Sequence, residues 1–248
     1  EVALYLHGAA DAFRPVRRNL VVSMASAAAL LAALGIIAFR FRVYLRDREF
    51  EQQLTVARRV QQELLPHECP ACESIDFAAA CVPAWEVGGD YYDVFRTGRG
   101  EIALLLGDVS GKGLPAALLM GLLHDAIRAA SAAWNGDNHT PLAAQLNELL
   151  CLRTTQDRFV SLFWAFFDPR EGKLRYVNAG HLPPILIRRN ASGSAAALRL
   201  ETGGPVLGLL PDATFQQGEV ALEHGDLLVL YSDGVVEAFQ HKKLPIAG

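Results

Sequence analysis

The chain has 248 residues and a formal net charge of −4, and it is 51% hydrophobic and 20% charged. This length corresponds to one or two domains. The acidic balance, without a basic patch interleaved with aromatic residues, argues against nucleic-acid binding. Its four cysteines do not resemble the dense disulfide framework of a secreted domain. We therefore expect the main domain to lie in a reducing, cytosolic compartment.

The first prominent feature is a stretch of about twenty uncharged residues, Leu20–Phe39, long enough as a helix to cross a hydrocarbon core of about 30 Å. Arginines flank it at positions 14, 17, 18, 40, 42, 46 and 48. A buried Ala-rich helix and a signal peptide are the alternatives. We predict a single transmembrane helix over residues 20–41, with residues 1–19 ending an extracytoplasmic segment. The arginine balance favours a cytoplasmic location for the remainder, beneath the cell membrane.

The segment that follows, residues 43–66, is polar and helical in pattern. Apolar or neutral positions recur at spacings of 4, 3, 4 and 3, namely Phe50, Leu54, Ala57, Gln61 and Leu64. This is the spacing of a coiled-coil seam with one polar position, although an ordinary amphipathic helix gives the same count. We predict an amphipathic linker helix that pairs two protomers into a homodimer and ends at Pro66.

Two cysteines, in Cys69-Pro-Ala-Cys72, have the spacing of half a zinc site or of a redox pair. Only the single Cys81 follows, and no thioredoxin-like strand precedes the pair. His67 beside the pair does not change this interpretation. We interpret them as ordinary loop cysteines.

Beyond the linker, apolar runs alternate with turn-rich segments. Two runs have helical character, residues 114–133 and 141–153, the second with Thr140 as its N-cap and Pro141 at its first position. The predicted strands cover residues 75–82, 102–106, 159–167, 174–177, 184–188, 197–200, 216–222 and 227–231, and a helix begins at Asp233. Two helices between groups of antiparallel strands favour an α+β sandwich over a βαβ fold.

Three acidic residues, Asp90, Asp108 and Asp233, stand next to glycine at the ends of apolar runs. We expect them to meet at one rim of a sheet, where neighbouring carboxylates stay ionised only if a cation neutralises them. Oxygen-only ligation suits Mg²⁺ or Mn²⁺ better than zinc. An Asp-Gly turn is the plain alternative for each one alone.

Two other motif interpretations fail. The loop Gly107-Asp108-Val109-Ser110-Gly111-Lys112-Gly113 lacks the spacing of a phosphate-binding P-loop and the Ser or Thr that follows its lysine. Gly88-Gly89-Asp90-Tyr91-Tyr92 has Tyr91 where the signature of cyclases that make cyclic dinucleotides has Glu. We interpret this fragment as a turn that presents Asp90.

Six segments together resemble the SpoIIE-type bacterial branch of the metal-dependent PPM serine/threonine protein phosphatases. They are ARRVQQELLP at 57–66, VGGDYYDVF at 87–95, LLLGDVSGKGLPAALLM at 104–120, NAGHLPP at 178–184, GPVLGLLP at 204–211 and LYSDGVVEA at 230–238. The resemblance implies an αββα sandwich, over residues 67–248 here, with a two-metal centre of Mn²⁺ or Mg²⁺ between the sheets.

By this resemblance, Asp108 bridges both metals and the backbone carbonyl of Val109 binds one of them. Asp233 binds the other, and Asp90 acts on them directly or through water. Water would attack the phosphate in line without a covalent enzyme intermediate. Lys112 is more typical of a rim charge than of a catalyst, and His181 as a proton donor is not favoured.

The resemblance also implies a substrate, phosphoserine or phosphothreonine on a STAS-type anti-anti-sigma factor. It further implies a late Asp-Asp segment with another metal ligand, and residues 1–248 contain no match to it. We expect the sequence to be a fragment, lacking the C-terminus of this domain. The alternative is a catalytically silent signalling or interaction domain with an incomplete metal site.

Overall fold

The computed structural model describes residues 2–66, 69–82, 87–154, 158–189 and 195–241. His67 and residues 242–248 of the predicted phosphatase domain lie outside the described residues, as does the side chain of Phe50. The chain divides into two compact units, Glu1–Gln53 and Leu54–Gly248.

The first unit is part of one helix, α1 (Val2–Leu64), so the predicted membrane helix and linker are continuous. Its apolar residues between positions 15 and 45, such as Leu31 and Ile37, are exposed. The most apolar window of this helix has a mean hydropathy of 2.4, and none of it is buried. By length and composition α1 could cross a membrane.

The second unit contains two sheets. The larger sheet has the strand order β1 (Asp90–Arg96), β2 (Ile102–Val109), β3 (Val160–Asp168), β4 (Lys173–Ala179) and β7 (Gly203–Gly204), and β8 (Gly218–Ala221) also pairs with β4. The smaller sheet has the order β6 (Ala195–Arg199), β5 (Ile185–Arg189) and β9 (Leu227–Val229). Every pairing is antiparallel except that of β4 with β7. The mixed α+β architecture predicted from the sequence is confirmed.

The two faces of the larger sheet are buried differently. Side chains alternate along a strand, so Ala103 and Leu105 of β2 face one side and Ile102 and Leu104 the other. The first pair packs with α2 (Leu114–Ala133) and α3 (Thr140–Arg153). The second pair packs in a separate core with residues of the smaller sheet, such as Leu228. Burial on both faces explains why β2 is almost continuously apolar.

The helices α2 and α3 form one layer, and the two sheets form two more. The fourth layer of the predicted αββα sandwich is not formed by the residues that the structure describes. After the smaller sheet, the described chain continues as the short helix α4 (Asp233–His241), whose residues 233–237 are exposed. Helix α2 is apolar enough to span a membrane, but Met120, Leu123 and Ile127 are fully buried against the core, so it is a core helix.

Three local predictions were wrong. Residues 75–82 form no strand, although Ile75 and Phe77 pack into the second core and so account for the apolar pattern. The segment interpreted as a turn presenting Asp90 is the strand β1 from that residue onward. The cap of α3 is His139 instead of Thr140, a shift of one position.

Candidate metal centre

Two of the three predicted site residues face each other across neighbouring strands. Asp90, the first residue of β1, is the direct cross-strand partner of Asp108 near the end of β2. The Val109 amide donates to the carbonyl of Gly89 at 3.2 Å. This hydrogen bond makes Asp90 and Asp108 a non-hydrogen-bonded pair, the type in which side chains lie nearest. Asp108 shares its face of β2 with Ile102 and Leu104, so it points to the side of the smaller sheet.

The third carboxylate comes from the other end of the chain. Asp233 is the first residue of α4, and one ligand oxygen from each of Asp90, Asp108 and Asp233 lies within 4.8 Å of the others. Asp90 and Asp108 are half-buried and Asp233 is exposed. The Ser232 hydroxyl donates to Asp90 Oδ2 at 3.3 Å. The structure therefore brings these three residues together.

The carboxylates disturb one another's ionisation. Burial, followed by the charges of Asp90, Asp233 and Glu237, raises the pKa of Asp108 from 3.8 to about 6. Burial also raises the pKa of Asp90; the hydrogen bond from Ser232 opposes this shift and the charge of Asp233 adds to it. Such a concentration of partly buried negative charge is stabilised by a cation. Oxygen-only donors match Mg²⁺ and Mn²⁺.

Gly89 leaves room beside this cluster. A Cβ atom on Gly89 would collide with the carbonyl oxygen of Val109 and would come within 3.0 Å of Asp108 Oδ1. The two oxygens therefore converge on the space next to Gly89. This places the carbonyl of Val109, the predicted main-chain ligand, beside the carboxylate of Asp108.

The loop after β2 turns through two glycines with positive φ, Gly111 at 97° and Gly113 at 73°. Ser110 ties the loop to the segment before β3: its amide donates to the Phe159 carbonyl at 2.9 Å, and its hydroxyl accepts from the Phe159 amide at 2.8 Å. Lys112 is exposed. Its position is consistent with a rim charge.

One neighbour of the cluster was missed from the sequence. Ser161 of β3 is the cross-strand partner of Asp108, and its Oγ lies 2.9 Å from His181 Nδ1. The backbone of His181 is fixed by its amide, which donates to Asn178 Oδ1 at 2.8 Å. Burial lowers the pKa of His181. The only sequence signal for Ser161 is a hydroxyl within an apolar strand.

The other late acidic residues fall in different places. Glu237, on α4, is near enough for its charge to raise the pKa of Asp108. Asp226 lies elsewhere, with its carboxylate 2.6 Å from the guanidinium of Arg188. Glu237 is therefore an acidic neighbour of the cluster, and Asp226 is a structural partner of β5.

The second unit of the chain resembles a known protein family. Residues 98–246 match the model of the family described as Stage II sporulation protein E (SpoIIE). The match covers more than half of the chain, and the chain belongs to this family.

Individual relatives agree with this assignment. The chain is 33% identical over 191 residues to the phosphoserine phosphatase RsbU of Bacillus subtilis, covering 77% of this chain and 55% of the relative. It is 31% identical over 213 residues to protein IcfG of Synechocystis sp., covering 75% of this chain and 33% of the relative. The chain thus spans between a third and about half of the length of these relatives.

A solved structure shares the fold. The RsbU and RsbW domains of Rv1364c from Mycobacterium tuberculosis match with a TM-score of 0.51 at 27% identity, over 63% of this chain and 42% of that chain.

Proposed function

We propose that the protein is a metal-dependent protein serine/threonine phosphatase. The observation that carries this proposal is the meeting of Asp90, Asp108 and Asp233, whose ligand oxygens lie within 4.8 Å of one another. Membership in the SpoIIE family and similarity to a protein named as a phosphoserine phosphatase support it. The raised pKa of Asp108 supports it as well, since a cation would relieve the repulsion that causes it.

The residues fit two Mg²⁺ or Mn²⁺ ions. By the family resemblance, Asp90, Asp108, Asp233 and the carbonyl of Val109 would hold the ions. The carbonyl oxygen of Val109 and Oδ1 of Asp108 adjoin the same space beside Gly89. Two such ions, when bound, activate a water molecule and neutralise charge on the transferred phosphoryl group.

The chain's own groups hold this arrangement. The pairing of β1 with β2 fixes the separation of Asp90 and Asp108. The Ser232 hydroxyl connects Asp90 to the start of α4, where Asp233 lies. Both β-strand carboxylates are held without a flexible loop, which favours a site whose ligand geometry changes little during catalysis.

The test is phosphate release from a phosphoserine peptide by the purified full chain in detergent. We expect activity that requires Mn²⁺ or Mg²⁺, disappears with EDTA and is lost in Asp108→Asn. Asp212→Asn, an exposed aspartate in the turn after Leu210, is the matched control and should retain activity. Activity that persists in EDTA or in Asp108→Asn would refute the two-metal proposal.

The same preparation tests the alternative function, a catalytically silent interaction domain. Calorimetric Mn²⁺ binding by the wild-type chain, lost in Asp108→Asn but accompanied by no phosphate release, would favour it.

We further propose that the substrate is a phosphorylated STAS-type anti-anti-sigma factor and that the phosphatase acts at the cytoplasmic face of the cell membrane. The substrate follows from the family resemblance. The exposed apolar stretch of α1 supports anchoring through residues 20–41. Dephosphorylation of a phosphorylated STAS domain from the same genome, followed by phosphate-affinity electrophoresis, tests the first point. Recovery of the full chain in the soluble fraction without detergent would refute the second.

A further inference from the structure

The cysteine pair Cys69 and Cys72 lies outside the proposed phosphatase chemistry. Both residues line an open groove, together with Arg96 of β1 and Pro169. All four cysteines of the chain are free thiols of intermediate exposure. A CxxC spacing is typical of redox pairs as well as of metal sites, so the surroundings of each sulfur decide between these uses.

Cys72 lies among groups that stabilise a thiolate. Its Sγ is 3.3 Å from the hydroxyl of Ser74. That hydrogen bond is the main cause that lowers the pKa of the Cys72 thiol. Burial opposes this shift, and the backbone amides of Ser74 and Ile75 and, least of all, the charge of Arg96 assist it. A thiolate, not a thiol, is the form that reacts with peroxides and disulfides.

Arg96 is held in place beside the pair. Its guanidinium donates to the carbonyl of Ala71, between the two cysteines, at 2.8 Å, and to the carbonyl of Gly100 at 3.1 Å. The positive charge is therefore fixed at the cysteine segment by two main-chain acceptors. A fixed cation next to an accessible thiol is the environment typical of redox-active cysteines.

No helix or strand holds the backbone of the cysteine pair. Residues 69–72 belong to no helix or strand, and the nearest turn begins at Cys72, where the Ile75 amide donates to the Cys72 carbonyl at 3.4 Å. A bond between sulfurs three residues apart would therefore break no sheet hydrogen bond.

We propose that Cys69 and Cys72 form a reversible, peroxide-sensitive dithiol in which Cys72 is the attacking residue and Cys69 the resolving residue. This proposal is independent of the phosphatase activity. In a reducing compartment, a disulfide of this kind would be transient and would report oxidant exposure.

Hydrogen peroxide is the oxidant in the proposed reaction. The Cys72 thiolate attacks one peroxide oxygen, the O–O bond breaks, and the leaving hydroxide takes up a proton to become water, which leaves a sulfenic acid on Cys72. The Cys69 sulfur then attacks the Cys72 sulfur, the S–O bond breaks, and a second water leaves. Two thiols and one peroxide thus become one disulfide and two waters. A dithiol reductant reverses the reaction by thiol exchange.

The experiment treats the full chain in detergent with hydrogen peroxide, blocks the remaining thiols with a maleimide and maps the peptides by mass spectrometry. We expect a 69–72 disulfide in the wild-type chain that dithiothreitol removes. We expect loss of the disulfide in both Cys69→Ser and Cys72→Ser, with a dimedone-trapped sulfenic acid on Cys72 in Cys69→Ser only. Ser74→Ala should slow the reaction, because the hydrogen bond to Cys72 is gone.

The control is Cys151→Ser, which removes a thiol 3.9 Å from Asn147 Oδ1 on α3, and it should leave the 69–72 disulfide unchanged. Equal labelling of all four cysteines would overturn the proposal. So would stoichiometric zinc that must be chelated before the thiols react, since that result would identify a metal site.

Discussion

Asp90 and Asp108 are direct partners in the antiparallel pairing of β1 and β2, and Gly89 is the residue that lets their surroundings stay open. The carbonyl of Val109 and the Oδ1 atom of Asp108 both converge on the position where a side chain at Gly89 would begin. A side chain at residue 89 would therefore crowd both of these oxygens.

Gly89→Ala should weaken Mn²⁺ binding about ten- to hundredfold, because the added methyl group would displace the Val109 carbonyl and the Asp108 carboxylate from the space that they share. The same collision should also cost about 1–3 kcal/mol of unfolding free energy. Calorimetric Mn²⁺ titration measures the effect. Gly88→Ala is the matched control, because its Cβ would meet nothing nearer than the Asp90 amide nitrogen at 3.9 Å. Equal affinity in Gly89→Ala and the wild-type chain would contradict the proposed ligand geometry.

The raised pKa of Asp108 predicts a pH-dependent stability of the metal-free chain. The folded chain holds this proton more tightly than the unfolded chain, because the pKa rises from 3.8 to about 6 on folding. The associated stability is fully present below the unfolded value and is lost as the pH rises through about 6. Asp108→Asn removes this dependence.

The measurement is the melting temperature of both chains in EDTA between about pH 4 and pH 7. We expect Asp108→Asn to gain stability relative to the wild-type chain as the pH rises. Adding Mn²⁺ should stabilise the wild-type chain and so reverse the difference at neutral pH. A difference in melting temperature between the two chains that stays constant with pH would show that the folded state does not raise the pKa of Asp108.

Elements whose sequence pattern lies within one short stretch of the chain were predicted correctly. The helix over residues 114–133 forms with the predicted bounds, since its apolar period and the Gly111–Gly113 turn lie within one short stretch. The three aspartates were found because each stands beside glycine at the end of an apolar run. Their meeting was predicted from the same positions, whereas the pairing of β1 with β2 that places Asp90 opposite Asp108 was not.

Non-local contacts account for what was missed. No pattern in the sequence indicates that Asp93 is fully buried and pairs with Arg128, 35 residues away. Ser161 joins the site only through its register with Asp108. The surroundings of Cys72 likewise depend on Arg96, which no spacing within the CxxC motif reveals.

Asp93 and Arg128 form a buried ion pair, and we expect substitution of one partner to destabilise the fold more than substitution of the other. The guanidinium binds both carboxylate oxygens, at 2.7 and 2.9 Å, and joins α2 to β1. The Asp93 side chain is 0% exposed and that of Arg128 is 43% exposed. Arg128→Met leaves the buried carboxylate without its guanidinium partner, although it still accepts from the Tyr91 hydroxyl at 3.1 Å and the Val94 amide at 2.8 Å. We expect this substitution to cost about 3 kcal/mol of unfolding free energy.

Asp93→Asn should cost less, because Arg128 can turn to solvent. Urea denaturation of the full chain measures both. Arg99→Met is the matched control: its pair with Asp137 is on the surface, so its loss should cost less than about 1 kcal/mol. The prediction is wrong if Asp93→Asn proves more destabilising than Arg128→Met.

We expect only part of the predicted coiled-coil seam of the linker helix to pair two protomers. Gln61 exchanges hydrogen bonds with the backbone of Gly88, at 2.6 and 3.2 Å, and Leu64 packs on the core beside Gly121. These two seam positions contact the chain's own domain. We therefore expect pairing of protomers to depend on the earlier position Leu54.

Leu54→Glu should weaken self-association about ten- to hundredfold, because it replaces an apolar contact that contributes about 1.5–3 kcal/mol when buried. Sedimentation of the full chain in density-matched detergent measures the mass. Val56→Glu is the matched control, because Val56 is 64% exposed and lies off the seam. A Leu54→Glu chain that keeps the mass of a dimer, or a wild-type chain with the mass of a monomer, would refute pairing through this helix.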